Sequence, residues 1–287
     1  MAELDIRSEK PGLRAIMDKY EITAQKRFGQ NFLIDENILN KIISAAEISK
    51  DDLVLEIGPG TGALTKLLCE NAGFVKAVEI DKKLIPLLND VLSGYDNLEI
   101  INSDVLKLDL AVIFSGETGC KDMKITANLP YYITTPVIMK ILEEKLPVSS
   151  VTIMIQKEVS DRIRAVPGTK DYGSLSLAVQ YYSKPVVVAQ VGPECFYPRP
   201  KVGSVVLKLE IYKDKPVKAK NEELMFKLIR AAFNQRRKTL ANAVSNYAGL
   251  DIGKEETERA IEKLGRKKNI RGEELSLEDF AYLSGLF

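Results

Sequence analysis

The sequence predicts an α/β protein, a doubly wound Rossmann-like sheet followed by a small all-helical C-terminal domain. Three observations carry this. Between residues 53 and 155 short apolar runs alternate with amphipathic segments. The first run ends in Gly58-Pro59-Gly60-Thr61-Gly62, and beyond Lys213 only helical patterning remains. Such alternation builds a mostly parallel sheet whose crossover helices cover both faces.

Taken in order, Asp35 is placed to cap a helix in which Ile38, Ile42, Ala45 and Ala46 recur at helical spacing. Residues 53–57 read as a buried strand, 63–70 as a helix, 74–80 as a strand, 82–92 as a helix and 98–101 as a strand, giving βαβαβ. A strand at 124–127, a helix from about Thr135 to Glu144 and a strand at 151–155 extend the pattern. Two β-branched runs, 186–191 and 205–211, are close enough in sequence to form an antiparallel edge. The polar, proline-interrupted stretch from Lys213 to Lys218 marks a boundary, and Ser276 with Asp279 forms a capping box near the end. The expected division is a lead or arm at 1–24, a main domain at 25–212 and a helical domain at 213–287.

Composition narrows the chemistry. Hydrophobic residues at 45% and charged residues at 28% fit a globular chain, and 41 Lys plus Arg against 40 Asp plus Glu give no whole-molecule attraction to polyanions. The absence of histidine excludes Ser-His-Asp and Cys-His catalysis and histidine-ligated zinc. Cys69, Cys120 and Cys195 lie too far apart for a zinc ribbon or a redox pair, so free thiols in the cytoplasm and no metal are expected. No run reaches the roughly 18 apolar residues of a membrane span. The first thirty residues lack the apolar core of a secretory signal.

In the glycine turn, Gly58, Gly60 and Ala63 fit the dinucleotide fingerprint, and Glu79 lies about twenty residues on, where a ribose-binding acid belongs. That spacing admits NAD as well as S-adenosylmethionine. Asp104, after the third strand of this series, is placed to accept from an adenine amino group, so Glu79 and Asp104 together can grip an adenosine. Asn128-Leu129-Pro130-Tyr131 then follows the fourth strand, at the edge where open α/β folds bind ligands. This tetrapeptide resembles an amino-methyltransferase signature, and with the glycine turn it favours S-adenosylmethionine. An adenine amine is a poor nucleophile because its lone pair is conjugated, so a site must hold its N–H groups out of plane. The Asn128 side-chain oxygen and the Leu129 carbonyl can each accept one N–H, Pro130 stiffens the loop, and Tyr131 can stack on a flipped-out base.

Two further segments are Gln25-Lys26-Arg27-Phe28-Gly29-Gln30-Asn31-Phe32-Leu33-Ile34-Asp35 and Phe196-Tyr197-Pro198-Arg199-Pro200-Lys201-Val202. With the glycine turn and the tetrapeptide, they closely resemble the KsgA family of small-subunit ribosomal RNA adenine dimethyltransferases, from about Gln25 to the C-terminal helices. The resemblance implies a Rossmann-like methyltransferase domain over 25–212. It also implies transfer of methyl groups from S-adenosylmethionine to the exocyclic amines of two adjacent adenosines near the 3′ end of that RNA, two methyls each. By position it implies cofactor contacts from Asn31 and Leu33, from Glu56, Gly58 and Gly60 of the turn, from Glu79 to the ribose and from Asp104 to the adenine. It gives Asn128 the cofactor edge and the target amine, and it makes Phe196 the second aromatic around the base. Tyr132 and Gly203 depart from residues common in the family, a polar one and an acid, which bears on the shape of the substrate pocket.

For RNA, residues 226–238 carry Lys227, Arg230, Arg236, Arg237 and Lys238 with no acid, while Arg199 and Lys201 follow Phe196. Such clusters neutralise phosphates and specify little sequence. The expected partner is small-subunit ribosomal RNA or a pre-ribosomal small subunit, bound by a monomer with no membrane role. Three other readings stand beside it: methylation of one adenosine of large-subunit ribosomal RNA, an NAD oxidoreductase, and a non-catalytic assembly factor. Thr134-Thr135-Pro136 favours the small-subunit enzyme over the first of these, and intact Asn128 and Tyr131 argue against the last.

Overall fold

A computed structural model describes residues 17–25, 28–114 and 119–287. Residues 1–16 of the expected lead, and Lys26 and Arg27, lie outside this set. In chain order the elements are β1 (Phe32–Leu33), α1 (Glu36–Ala46), β2 (Asp52–Ile57), α2 (Ala63–Asn71), β3 (Phe74–Glu79), α3 (Ile85–Val91), β4 (Leu98–Asn102) and α4 (Leu110–Phe114). They continue with β5 (Asp122–Asn128), α5 (Thr134–Glu143), β6 (Ser150–Gln156), α6 (Lys157–Arg164), α7 (Ser174–Tyr182), β7 (Ser183–Val191), β8 (Phe196–Tyr197) and β9 (Ser204–Ile211). Helices α8 (Glu222–Asn234), α9 (Leu240–Ser245), α10 (Lys254–Lys263) and α11 (Leu277–Leu283) follow. None of the described helices is long and apolar enough to cross a membrane.

Strands that are apolar on both sides are stable only when both faces are covered, and every residue of β2 is buried. Seven strands form one sheet in the order β4-β3-β2-β5-β6-β9-β7. β2 runs parallel to β3 and β5, β3 to β4 and β5 to β6, while β9 is antiparallel to β6. The chain leaves β2 first to one side and later to the other, so the switch point lies between β2 and β5, where the glycine turn and Asn128 both emerge. One core cluster packs Ile38, Leu39 and Ile42 of α1 and Leu64, Leu67 and Leu68 of α2 against Val54, Val75, Met154 and Val206.

Local signals behave as their chemistry requires. The Asp35 carboxylate accepts from the Ile38 N–H at 3.0 Å and caps α1, and Ser276 and Asp279 cap α11 reciprocally at 3.2 and 3.1 Å. The helix expected over 82–92 is shorter. Pro86 occupies its first turn, where a missing N–H costs nothing, and the residues before it form a turn held by Asp81, whose carboxylate accepts from the Lys83 N–H. Of the expected lead, Met17 and Ile22 are buried with Phe32, Leu84 and Leu88.

The chain forms two compact units. One holds the described residues up to Ser160 together with Pro185–Ile211, and the other holds Asp161–Lys184 with Tyr212–Phe287. The division after Ile211 falls beside the expected boundary, but 161–184 leaves the expected 25–212 domain. The reason is aromatic: the Tyr181 and Tyr182 rings of α7 pack on Phe226 of α8 at 5.4 and 5.7 Å, and both hydroxyls donate to Glu222. The sequence pattern does not mark α6 and α7. Short, highly polar α6 offers a narrow apolar stripe, and α7 is buried on nearly every side, so neither shows a clear helical period.

Candidate active site

The site begins at the glycine turn. Gly58, Gly60 and Gly62 have φ of 75, 59 and 86°, in the left-handed region where a side chain is strained. A Cβ on Gly60 would also lie 3.1 Å from the Phe32 ring. Gly62 starts α2 with no side-chain cap, which leaves the N–H groups of the first turn open to a ligand.

Two acids stand beside this turn. Glu79, the last residue of β3, accepts from the Gly60 N–H at 3.2 Å and the Asp81 N–H at 2.7 Å, and burial lifts its carboxyl to about 7. Glu56 in β2 is fully buried, and its Oε2 has no hydrogen-bond partner among the described residues. Burial pushes this carboxyl up to about 8, and the Glu79 charge adds to the shift. Asp104 follows β4 and caps the 3-10 turn Val105–Lys107, where one carboxylate oxygen accepts from the Leu106 N–H at 3.0 Å.

The Glu56 shift sets a testable stability dependence. Unfolded, the carboxyl ionises near its ordinary 4.5; folded, it holds its proton to about 8. Stability therefore declines as pH rises through that window and levels off above it. Glu56→Gln cannot ionise, so without cofactor its Tm should match the parent near pH 5 and exceed it by several degrees, about 5 °C, at pH 8.5. Parallel Tm profiles for the two proteins would show that Glu56 is ionised in the fold.

On the other wall, Asn128 ends β5, and its side-chain N–H donates to the Asn31 carbonyl at 3.1 Å. The amide is thereby oriented, with Oδ1 left as an acceptor. Asn31 is held in turn by a hydrogen bond to the Gly29 carbonyl at 3.1 Å. The Leu129 N–H donates to Met154 at 3.2 Å, and the Pro130 carbonyl accepts from Ile133 and from the Thr134 hydroxyl, closing the turn. The Tyr131 hydroxyl bonds the Ser204 hydroxyl at 2.9 Å, and burial raises its phenol, which stays protonated. Leu33 of β1 pairs with Phe196 of β8, so the segment around Asn31 and the segment around Phe196 are zipped together across the chain.

One cavity is lined by Asn31, Leu33, Glu56, Gly58, Gly60, Glu79, Asp104, Asn128, Leu129, Tyr131 and Phe196. It combines a cradle that a Cβ would fill, a buried carboxyl oxygen with no hydrogen-bond partner among the described residues and acids at two successive strand ends, which suits a cationic adenosine cofactor. A family model for ribosomal RNA adenine dimethylase matches residues 22–281.

The chain belongs to the ribosomal RNA adenine dimethylase family.

It is 58% identical to ribosomal RNA small subunit methyltransferase A of Lachnoclostridium phytofermentans, with 94% of each chain covered. It is 50% identical to the protein of that name from Alkaliphilus metalliredigens, again over 94% of each. Among solved structures, a dimethyladenosine transferase from Plasmodium falciparum is similar, with TM-score 0.74 and 30% identity, over 88% of this chain and 95% of that one. The 23S rRNA methyltransferase ErmE matches with TM-score 0.65 and 25% identity, over 89% and 99%. Family membership removes the NAD reading that the glycine turn alone had left open.

Within this family member every predicted cofactor and catalytic residue borders the one cavity, but Phe196 is only 1% exposed and forms part of its wall. Gln30, Ile80 and Ser103 also line it and escaped sequence reading. Ile80 falls inside the strand expected over 74–80, and its 40% exposure beside Glu79 left no signal in the sequence. Ser204, the anchor of Tyr131, had none.

The predicted RNA residues divide. Arg199 and Lys201 are exposed in the segment after β8. The run from 226 to 238 is not one basic helix face, because α8 ends at Asn234 and acids reach into it. Lys227 pairs with Glu223 one turn earlier at 2.7 Å, just outside the window that held no acid, and Arg236 pairs with Glu273 at 2.7 Å. Arg230 is exposed on α8, and Arg237 and Lys238 are exposed beyond its end.

Proposed function

We propose that the chain transfers methyl groups from S-adenosylmethionine to the N6 amines of two adjacent adenosines near the 3′ end of small-subunit ribosomal RNA, giving two dimethyladenosines during ribosome assembly. The observation that carries this reading is the Asn128 amide, oriented by the Asn31 carbonyl and bordering the same cavity as the glycine turn. Bound S-adenosylmethionine supplies an electrophilic methyl on a sulfonium centre. Glu79 and Asp104 would hold its adenosine, and the Gly58–Gly60 turn with Glu56 its methionine end. In the first transfer Asn128 Oδ1 and the Leu129 carbonyl accept the two amine N–H bonds, directing the nitrogen lone pair toward the cofactor; in the second, one N–H remains and one of the two acceptors holds it. Tyr131, braced by Ser204, offers its ring to the base, while Phe196 is buried in the wall of the same cavity. No strong base is required: as the carbon–nitrogen bond would form, the methyl–sulfur bond would break to leave the neutral thioether S-adenosylhomocysteine, and the acidic methylated nitrogen then gives its proton to solvent. The enzyme acts as a cytoplasmic monomer on a pre-ribosomal small subunit.

The test is incubation with labelled S-adenosylmethionine and unmethylated small subunits, followed by mapping of modified nucleosides. Two neighbouring dimethyladenosines are expected. Label on a single adenosine of large-subunit RNA, or no label, overturns the reading.

Arg237 and Lys238 are read as phosphate ligands. Converting both to Ala should lower small-subunit affinity and reduce the slope of log affinity against log salt by about two, roughly one per contact, while cofactor affinity holds. An unchanged slope would make them solvated charges.

A further inference from the structure

Two exposed segments of the C-terminal unit are tied together by one side chain. Arg236 donates from Nε to Glu273 at 2.7 Å and from Nη2 to the Thr169 carbonyl at 3.2 Å. The Gly168 N–H donates to the Glu273 carbonyl at 2.8 Å, and Gly168 has φ of 82°, so a glycine suits this bend. The loop at 165–171, between α6 and α7, is thus held against the turn that follows α8. Beneath it, the Tyr172 hydroxyl donates to the Leu275 carbonyl at 2.9 Å, and the Tyr172 ring meets Phe233 edge-on. The loop is therefore fixed at its middle and at its C-terminal end, while Val166 and Lys170 on either side of the tethered pair face solvent.

These exposed residues have their own chemistry. Lys170 is exposed on the loop and Arg237 and Lys238 on the turn, with Asp171 the one acid among residues 165–171. Val166 is 57% exposed, an apolar residue with nothing to gain from solvent. Arg236 differs from these cations. Two of its five N–H donors are committed and its charge faces the Glu273 carboxylate, so a phosphate would have to compete with Glu273 for it.

We propose that the loop at 165–171 is a second RNA-contact element, with Lys170 as its phosphate ligand and Val166 against a ribose or base, and that Arg236 positions this loop beside Arg237 and Lys238 without itself contacting phosphate. The proposal rests on reading the turn at Arg237 and Lys238 as an RNA surface. Loops held in place by a rigid scaffold commonly carry binding residues, and phosphate contacts from two adjoining segments orient an RNA better than one.

The test compares variants of the full chain for affinity to unmethylated small subunits across a salt series. Lys170→Ala should bind about three- to tenfold more weakly and lose about one unit of salt slope, with S-adenosylhomocysteine affinity and Tm unchanged. Lys263→Ala, at an exposed lysine of α10, should do neither. Arg236→Lys keeps the charge but cannot make both bonds, so it should lose affinity like Lys170→Ala and speed tryptic cleavage after Lys170. Adding Lys170→Ala to Arg236→Lys should then cost little more. Full affinity in Arg236→Lys, or additive losses in the pair, would make Arg236 an ordinary phosphate ligand and overturn its positioning role. If Arg237 and Lys238 matter while Lys170→Ala binds normally, the loop proposal fails and the turn reading stands. If neither matters, the RNA surface itself lies elsewhere.

Discussion

Asn128→Ala is expected to turn over about 10²–10³-fold more slowly than the parent with cofactor and small subunits both saturating, by analogy with deletion of a positioned hydrogen-bonding group at an oxyanion site. The expectation comes from how the amide is held. Its N–H is committed to the Asn31 carbonyl at 3.1 Å, so the carboxamide cannot flip without losing that bond. The remaining oxygen acts on an amine whose N–H bonds must leave the ring plane as the nitrogen attacks, and that interaction strengthens only as the transition state forms. Turnover should therefore fall further than RNA affinity. Because Asn128 also borders the cofactor cavity, binding of S-adenosylhomocysteine has to be measured beside the rate. Parent-like turnover under saturation, with only binding weakened, would make Asn128 a cofactor-edge residue and end the amine-positioning mechanism.

Legibility in the sequence followed the range of each interaction. The βαβαβ series was readable because β2 is buried along its whole length, so that Leu53-Val54-Leu55 and Ile57 form a short apolar run ending at Gly58. α1 was readable because its cap lies three residues from the N–H it satisfies. Pairing of Leu33 with Phe196 was not, since two-residue strands carry no period and their partner is remote. The same holds for Tyr131 with Ser204 and for Arg236 with Glu273. The site could still be listed residue by residue, because each cofactor or catalytic candidate sits at or near a strand end or in a motif. What joins those motifs, and which cations are already paired, depends on contacts between distant parts of the chain. The basic cluster shows the cost: a window without acids still delivered two cations into ion pairs, one with an acid just before it and one with an acid 37 residues on.

Glu79→Ala should raise the dissociation constant for S-adenosylmethionine by about 100-fold or more, since two ribose hydrogen bonds to a charged acceptor are worth roughly 1.5–3 kcal/mol each. The carboxylate also accepts from the Gly60 and Asp81 N–H groups, so its removal loosens the turn that receives the cofactor. pH separates the two contributions. In the empty pocket burial holds Glu79 near 7, above the 4.5 of an ordinary glutamate. Ribose hydroxyls and a nearby sulfonium favour the ionised form, so binding below that value must expel a proton. Affinity is therefore expected to rise about tenfold from pH 6 to pH 8 and then to level off, with proton release visible by calorimetry in buffers of different ionisation enthalpy. Glu79→Gln retains the side-chain length but has no proton to lose, so its weaker binding should lack this step between pH 6 and pH 8. A parent whose affinity is flat across that range would mean that Glu79 is already ionised in the empty pocket. An unchanged affinity in Glu79→Ala would remove it from the cofactor site altogether.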